Sequence, residues 1–255
     1  MATSPLFFAR VDFRNDHRIF GILHDDRRLH CHIIGKTGIG KSALRKHFIA
    51  HDLRSQHGLT LIDPHGDMVS SGLDYVSTHR TREVIYFNPA DHAYPVGFNI
   101  LESVPREQRF LVASHVVSAF HNLWHDSWGP RLEYLLLNCV LTLLDIENST
   151  LSGIPRLLSD KTYRRQILLF IEDPIVRKFW IEEYKRYPAV FQRQVIAPLQ
   201  NKVGQFLSSY PMRNIVGQPR STFSIDAVID QRQILLCNFA KGRLARPMPN
   251  CSVRW

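Results

Sequence analysis

Leu29-His30-Cys31-His32-Ile33-Ile34-Gly35-Lys36-Thr37-Gly38-Ile39-Gly40-Lys41-Ser42-Ala43-Leu44 is the stretch that decides the fold. Gly35 to Ser42 fits G-x-x-x-x-G-K-[ST], in which glycines let the backbone curl so that successive N–H groups point at phosphate oxygens. Residues 29–34 are predicted to form a short strand running into the loop, and residues 43–50 the first turns of a helix leaving it. A helix N-terminus adds partial positive charge where the phosphate would sit. The predicted nucleotide-binding residues are therefore Gly35, Lys36, Thr37, Gly38, Ile39, Gly40, Lys41 and Ser42. In such a loop Lys41 reaches the β- and γ-phosphates, and the Ser42 hydroxyl is a Mg²⁺ ligand.

Outward from the loop, the chain alternates strand and helix signals. Residues 58–62 are an apolar run cut off by Asp63-Pro64-His65-Gly66-Asp67, which reads as a second buried strand ending in a turn. Asp63 thus sits at a strand's C-terminal end, the edge where α/β sheets place ligands. A carboxylate there holds a Mg²⁺-bound water or orients an attacking water; alternatively it only caps the backbone of its own turn. His65 and Asp67 are weaker candidates for the same site. Residues 83–87, closed by Asn88-Pro89, read as a third strand, and residues 233–239 as a return to strand. Such alternation predicts an α/β fold with a parallel sheet and crossover helices.

Between them the texture changes. Phe110, Ala113, Val117, Phe120 and Trp124, then Leu132, Leu135, Leu136, Cys139, Val140, Leu143 and Leu144, recur at helical spacing. Ser149 to Ser152 and Ser159-Asp160 supply helix N-cap candidates. The expected organisation is lead-in strands over 1–28, the first part of the core over 29–104, and a helical insertion over 105–216. A return to the core over 217–244 and a tail over 245–255 complete it.

The 255 residues are 44% hydrophobic, enough for one large α/β domain or one domain with an insertion. A formal charge of +9 favours a polyanionic partner such as nucleic acid or acidic lipid, or else reflects a generic basic surface. The four cysteines (Cys31, Cys139, Cys237, Cys251) form no C-x-x-C pair; Cys31 and Cys237 lie in strand-like runs and read as reduced core thiols of a cytosolic protein. The first residues have neither a basic n-region nor a long apolar core, so they do not read as a signal peptide, and no apolar stretch is long enough to span a membrane. His30/His32 and His121/His125 have strand and helix spacing, but no H-E-x-x-H or Cys/His cluster completes a metal set. The chain has no G-x-S-x-G elbow for acyl transfer and no N-K-x-D run for guanine reading. Trp124, Trp128, Trp180 and Phe179 either stack on unpaired bases or form the core of the helical block. Lys161, Arg164, Arg165, Arg177, Lys178, Lys185 and Arg186 read as a basic helical surface, either suited to phosphate contact or simply solvated.

Taken together, Ile34 to Ser42 and the run Leu61-Ile62-Asp63-Pro64-His65-Gly66-Asp67 resemble the HerA/FtsK-class P-loop ATPases. More narrowly, the chain is similar to the conjugative DNA-transfer (type IV secretion coupling) ATPases. Further likeness lies in residues 87–91, in Tyr94-Pro95-Val96-Gly97-Phe98-Asn99-Ile100-Leu101, in Trp128-Gly129-Pro130-Arg131, in residues 198–207 and in residues 234–243. The resemblance implies a RecA-like P-loop NTPase motor that hydrolyses ATP with Mg²⁺ as a ring, usually a hexamer, and moves DNA through its channel. It implies that the helical block is the family's inserted all-α region and that Lys41 and Asp63 are catalytic, with Ser42 and Asp63 at the metal. A cytoplasmic location, often at the cytoplasmic face of the inner membrane, is implied too.

Two departures from the pattern stand out. Ile39 replaces the family's usual Ser or Thr, with little expected effect because the backbone N–H binds phosphate. After Arg243 no strand ending in Asp-Glu or Glu-Glu follows, so the expectation is a C-terminally truncated or frameshifted copy with a sheet incomplete at that end. Such a copy would bind Mg–ATP but hydrolyse it weakly or not at all. A non-catalytic fragment that binds DNA or docks on full-length subunits is the rival expectation.

Overall fold

A computed structural model describes residues 5–240; the end of the resemblance (241–243), Cys251 and the tail over 245–255 lie outside the described residues. In chain order the elements are strands β1 (Leu6–Arg10) and β2 (Ile19–Ile22), helix α1 (Lys41–Arg54), β3 (Leu59–Asp63), α2 (Asp67–Leu73) and β4 (Val84–Phe87). Helices α3 (Arg109–Leu123), α4 (Pro130–Leu144), α5 (Gly153–Ser159), α6 (Lys161–Ile167), α7 (Pro174–Lys178), α8 (Ala189–Ser208) and α9 (Tyr210–Val216) follow. Helix α10 (Ile225–Asp230) and strand β5 (Ile234–Asn238) close the described chain. They form two compact units, residues 5–87 with Ser224–Ala240, and Asn88–Phe223.

In the first unit β3, β4 and β5 make a parallel sheet in the order β3-β5-β4. The last strand in sequence is the middle one in space. Its composition shows why: every residue of Ile234–Asn238 is buried, the signature of a strand covered on both faces. Strand β3 instead alternates, with Thr60 and Ile62 exposed and Leu59 and Leu61 turned inward. Ile49 and Leu53 of α1, Met68 and Val69 of α2, and Ile234 and Leu236 of β5 form the core cluster, with Leu59, Leu61, Val84 and Tyr86 packed against it. Each fully buried aliphatic side chain in such a cluster contributes about 1.5–3 kcal/mol.

The sheet's N-terminal end is held by a buried cation. Arg80, 2% exposed, donates to the carbonyls of Ser55 (2.6 Å), His57 (3.0 Å) and Arg232 (3.0 Å) and pairs with Glu83 at 2.7 Å. Those carbonyls precede β3 and β5, and Glu83 precedes β4, so one guanidinium joins the entry points of all three strands. Asp52 on α1 is also buried and accepts from Arg27 at 2.6 Å.

The strand predicted over residues 29–34 is absent. The segment is irregular, and its apolar side chains face outward, Leu29 at 73% and Ile34 at 80% exposure. Six alternating residues specify which side chains share a face, but a strand exists only where a neighbouring ladder takes its N–H and C=O groups. For the same reason Cys31 is exposed rather than a core thiol, whereas Cys237 in β5 is buried and burial raises its thiol pKa to about 11. The lead-in is an antiparallel hairpin of β1 and β2, with a bulge between Phe7 and Ala9.

The second unit is helical. Leu135, Leu136, Cys139, Val140 and Leu143 give α4 a buried face, joined by Ile154, Leu157 and Leu158 of α5 and Leu199 and Val203 of α8. Phe179, Trp180 and Tyr184 fill its centre; the Trp180 ring centroid lies 4.9 Å from that of Phe179 and 4.7 Å from that of Tyr184. Trp180 Nε1 donates to Thr142 Oγ1 at 2.7 Å and the Tyr184 hydroxyl to the Leu158 carbonyl at 3.0 Å, so their polar atoms are satisfied where they are buried. Asp160 caps α6 by accepting from the N–H groups of Thr162 and Tyr163, as its position in the sequence predicts.

The chain enters and leaves this unit through a clasp. Buried Asn99 donates to the carbonyls of Ser149 (2.9 Å) and Pro219 (2.8 Å), while Gly97 and Thr222 exchange hydrogen bonds and Phe98 stacks on Phe223. The run from Tyr94 to Leu101 is thus a structural fastening.

Candidate functional site

The loop takes the backbone conformation its glycines allow. Gly38 (φ 87°) and Gly40 (φ 95°) are left-handed, a region that costs an L-residue roughly 1–2 kcal/mol. Gly40 is the residue before α1, so Lys41 and Ser42 open the helix and their N–H groups belong to the first turn, where no intrahelical acceptor exists. A Cβ at either left-handed glycine would meet nothing within 4 Å, so the requirement there is conformational and not steric. Ile39 is largely exposed and lays its Cδ1 over Gly35.

Lys41 turns back onto its own loop. Its ammonium donates to the carbonyl of Gly35 at 2.6 Å and of Lys36 at 2.7 Å. Two carbonyl dipoles thereby hold a cation against the loop, and phosphate oxygens are stronger acceptors for the same N–H groups. Left-handed glycines, first-turn N–H groups and a tethered lysine fit a phosphate chain, and Ser42 at the helix start fits a hydroxyl ligand to its Mg²⁺.

Asp63 belongs to a second cluster, at the C-terminal end of the sheet. It is buried and its oxygens accept from the backbone N–H groups of His65 (3.0 Å), Met68 (2.8 Å) and Val69 (3.3 Å). Burial pushes its pKa up, but the surrounding backbone N–H groups of His65, Met68, Val69 and, more distantly, Gly66 outweigh that, and the net direction is down. The carboxylate therefore stays ionised while tying the turn to the start of α2. His65 and Asp67 lie on the same turn, and Asp67 opens α2, where a negative charge complements the helix dipole.

Asn238, quoted in the sequence only as part of the last strand, completes this cluster. It donates to the Tyr86 hydroxyl at 2.9 Å and accepts from Ala240 N–H at 3.1 Å. Gly66 (φ 86°) passes so close that a Cβ there would lie 2.6 Å from Asn238 Oδ1. The available signal was the parallel between Asp63 and Asn238, each a short polar residue ending an apolar run.

The remaining candidates separate cleanly. Phe179 and Trp180 are buried core residues and present no face to a base. Trp124 is half-buried on Phe120, with its Nε1 donating to Gln205 at 3.2 Å. Arg164 turns inward to the carbonyls of Leu157 and Leu158 and over the Tyr184 ring, while Lys161, Arg165, Arg177, Lys178, Lys185 and Arg186 are exposed. His30 and His32 are exposed on the irregular segment, and the His121 and His125 rings lie 5.3 Å apart. Among the described residues no three His, Cys, Asp or Glu side chains group as a metal set, and no helix is long and apolar enough to cross a membrane.

Neither a protein-family model nor a curated protein matches the chain. Among solved structures it is similar to the bacterial conjugative coupling protein TrwBdeltaN70 in an unbound monoclinic form, with a TM-score of 0.52 and 18% identity over 85% of this chain and 47% of that one. It is also similar to the plasmid coupling protein TrwB in complex with ADP and Mg²⁺, with a TM-score of 0.52 and 16% identity over 85% and 48% of the two chains. The chain spans about half the length of these structures. At such identity the likeness shows the fold: an α/β, RecA-like fold of the coupling-protein kind, as the loop and the I-D-P-H-G-D run led us to expect.

Proposed function

We propose that this chain is a Mg–ATP-binding domain of the conjugative coupling, type IV secretion class of DNA-translocating P-loop NTPases. The observation that carries the reading is the loop from Gly35 to Ser42: two left-handed glycines, a helix start, and Lys41 bonded back to the loop's own carbonyls. Gly35 to Ser42 would hold the phosphates, with Lys41 on the β- and γ-phosphates and Ser42 on Mg²⁺. The metal would supply charge neutralisation between those phosphates. One of the similar structures is described as a complex with ADP and Mg²⁺, which supports this choice of ligand.

Hydrolysis asks for a group that orients water. Asp63 spends three of about four carboxylate lone-pair positions on backbone N–H groups. We therefore assign it first to holding the turn, with at most one oxygen position left for a water of the Mg²⁺ shell. Turnover by this chain is expected to be weak. DNA is the proposed partner, through the exposed lysines and arginines of α6, α7 and residues 185–186, and ring assembly in the cytoplasm is proposed from the class.

The test is Mg–ATP binding and turnover by the purified chain, with and without DNA, beside Lys41→Ala. Lys41-dependent binding with slow turnover supports the reading; absence of Lys41-dependent nucleotide binding overturns it. DNA binding that survives Lys41→Ala and falls steeply with salt would favour the non-catalytic DNA-binding alternative.

A further inference from the structure

Beside the loop lies a cleft of about 580 Å³, within the range of small-ligand sites, formed where the β1–β2 hairpin crosses the first turns of α1. Phe7, Arg10 and Ile19 line it from the hairpin, and Ala43, Leu44 and His47 from the helix. Ala43 and Leu44 immediately follow Ser42, so the helix wall of the cleft begins one residue past the phosphate loop. From Ser42 to His47 the helix advances about 7.5 Å at ~1.5 Å per residue. A ribose and one phosphate bridge that kind of distance.

The cleft is already formed and its apolar walls face outward. His47 Nε2 lies 2.8 Å from the Phe7 carbonyl; a carbonyl only accepts, so the ring donates and pins the hairpin to α1. Phe7 and Ile19 are nevertheless 51% and 66% exposed. Arg10 donates through Nε to the His17 carbonyl at 3.1 Å, which steadies a planar cation at the rim. Apolar walls, a planar cation and an adjoining phosphate cradle suit a flat aromatic ring attached to a phosphate chain.

We propose that this cleft takes the nucleobase of the triphosphate held at Gly35 to Ser42, so that the ligand is selected as a nucleotide and not as a polyphosphate. The proposal rests on the phosphate-loop reading above. Calorimetric titration of the 255-residue chain with Mg–ATP and with magnesium tripolyphosphate tests it, using Phe7→Ser, Ile19→Ser and Lys41→Ala. Phe7→Ser should weaken ATP by about 10-fold, one stacking contact's worth, and Ile19→Ser by a smaller factor for lost apolar contact, while tripolyphosphate binds as before. Lys41→Ala should weaken both ligands. Equal weakening of both ligands by the cleft variants, or no effect of them on ATP, overturns the nucleobase proposal while Lys41-dependent binding leaves the loop reading standing. Failure of the unsubstituted chain to bind either ligand overturns both.

Discussion

Asp63 and Asn238 stand opposite each other in the parallel register of β3 and β5, and each folds its side chain back onto the backbone that follows it. The Asp63 carbonyl also accepts from Phe239 N–H at 2.9 Å, which extends the ladder past the last side-chain pair. Local bonds thereby fix the turn that leaves each strand end, and Gly66 packs closely against Asn238. These bonds shape the C-terminal edge of the sheet, where α/β folds place ligands.

Replacing Asp63 separates its two roles. Asp63→Ala removes the acceptor for three N–H groups and should cost about 1–3 kcal/mol of stability, read from denaturant unfolding. Asp63→Asn keeps one acceptor oxygen and should cost less. If Asp63 also touches the Mg²⁺ hydration shell, Asp63→Asn weakens nucleotide binding with Mg²⁺ present and leaves metal-free binding unchanged. Equal affinities with and without the metal would confine Asp63 to the turn.

The same carboxylate sets an acid limit. Its folded pKa lies below the ordinary carboxylate value of 3.8, so the unfolded chain takes up its proton first as pH falls. Its contribution is complete above that value and is lost as pH drops through the lower folded pKa. Asp63→Asn should flatten the stability curve below about pH 4, measured as midpoint against pH.

His57 governs a higher window. Its ring stacks on His24 with centroids 4.1 Å apart. Burial lowers its pKa below 6.5 first, then the charges of His24, Arg27 and His51, against the opposing pull of Asp52. A depressed histidine pKa means the unfolded state binds more protons, so stability present above pH 6.5 declines as pH falls toward the folded value. His57→Gln should reduce that slope below about pH 6.5; an unchanged slope would place the titration elsewhere.

What can be read from the sequence follows from how far each interaction reaches. Gly38 and Gly40, the Asp160 cap and the apolar run of β5 are local signals and are legible. The 29–34 segment misleads because alternation over six residues carries no information about a ladder partner. Arg80 is invisible: its carbonyl acceptors at His57 and Arg232 lie 23 and 152 residues away, and arginine in a polar stretch reads as surface. Asn99 is hidden likewise, since a buried amide is distinguished from a turn residue only by the groups it meets across the fold.

Arg80 is consequently a strong stability test. Arg80→Met keeps the aliphatic stem but leaves the carbonyls of Ser55, His57 and Arg232 without their shared donor. Glu83 is half-exposed and can be hydrated, so the cost is that of buried carbonyls left without a donor, about 1–3 kcal/mol. Arg80→Lys should recover only part, because an ammonium cannot reproduce the planar fork. Unfolding midpoints in the order Arg, Lys, Met would support the clamp, and near-equal midpoints would dissolve it.

Gly40 isolates the backbone requirement of the phosphate loop. With φ at 95° and open space where a Cβ would stand, substitutions there act through conformation and leave Lys41 and Ser42 chemically intact. Asparagine visits the left-handed region more readily than alanine, and a β-branched side chain least of all. Mg–ATP affinity should therefore fall in the order Gly40, Gly40→Asn, Gly40→Ala, Gly40→Val. The alanine step is expected to be about 10-fold, matching the ~1–2 kcal/mol cost of holding an L-residue left-handed. Far-ultraviolet circular dichroism should stay unchanged across the series, because α1 begins only after this residue. If Gly40→Val binds as well as the unsubstituted chain, the loop grips phosphate in some other backbone conformation and the left-handed turn at Gly40 has no part in it.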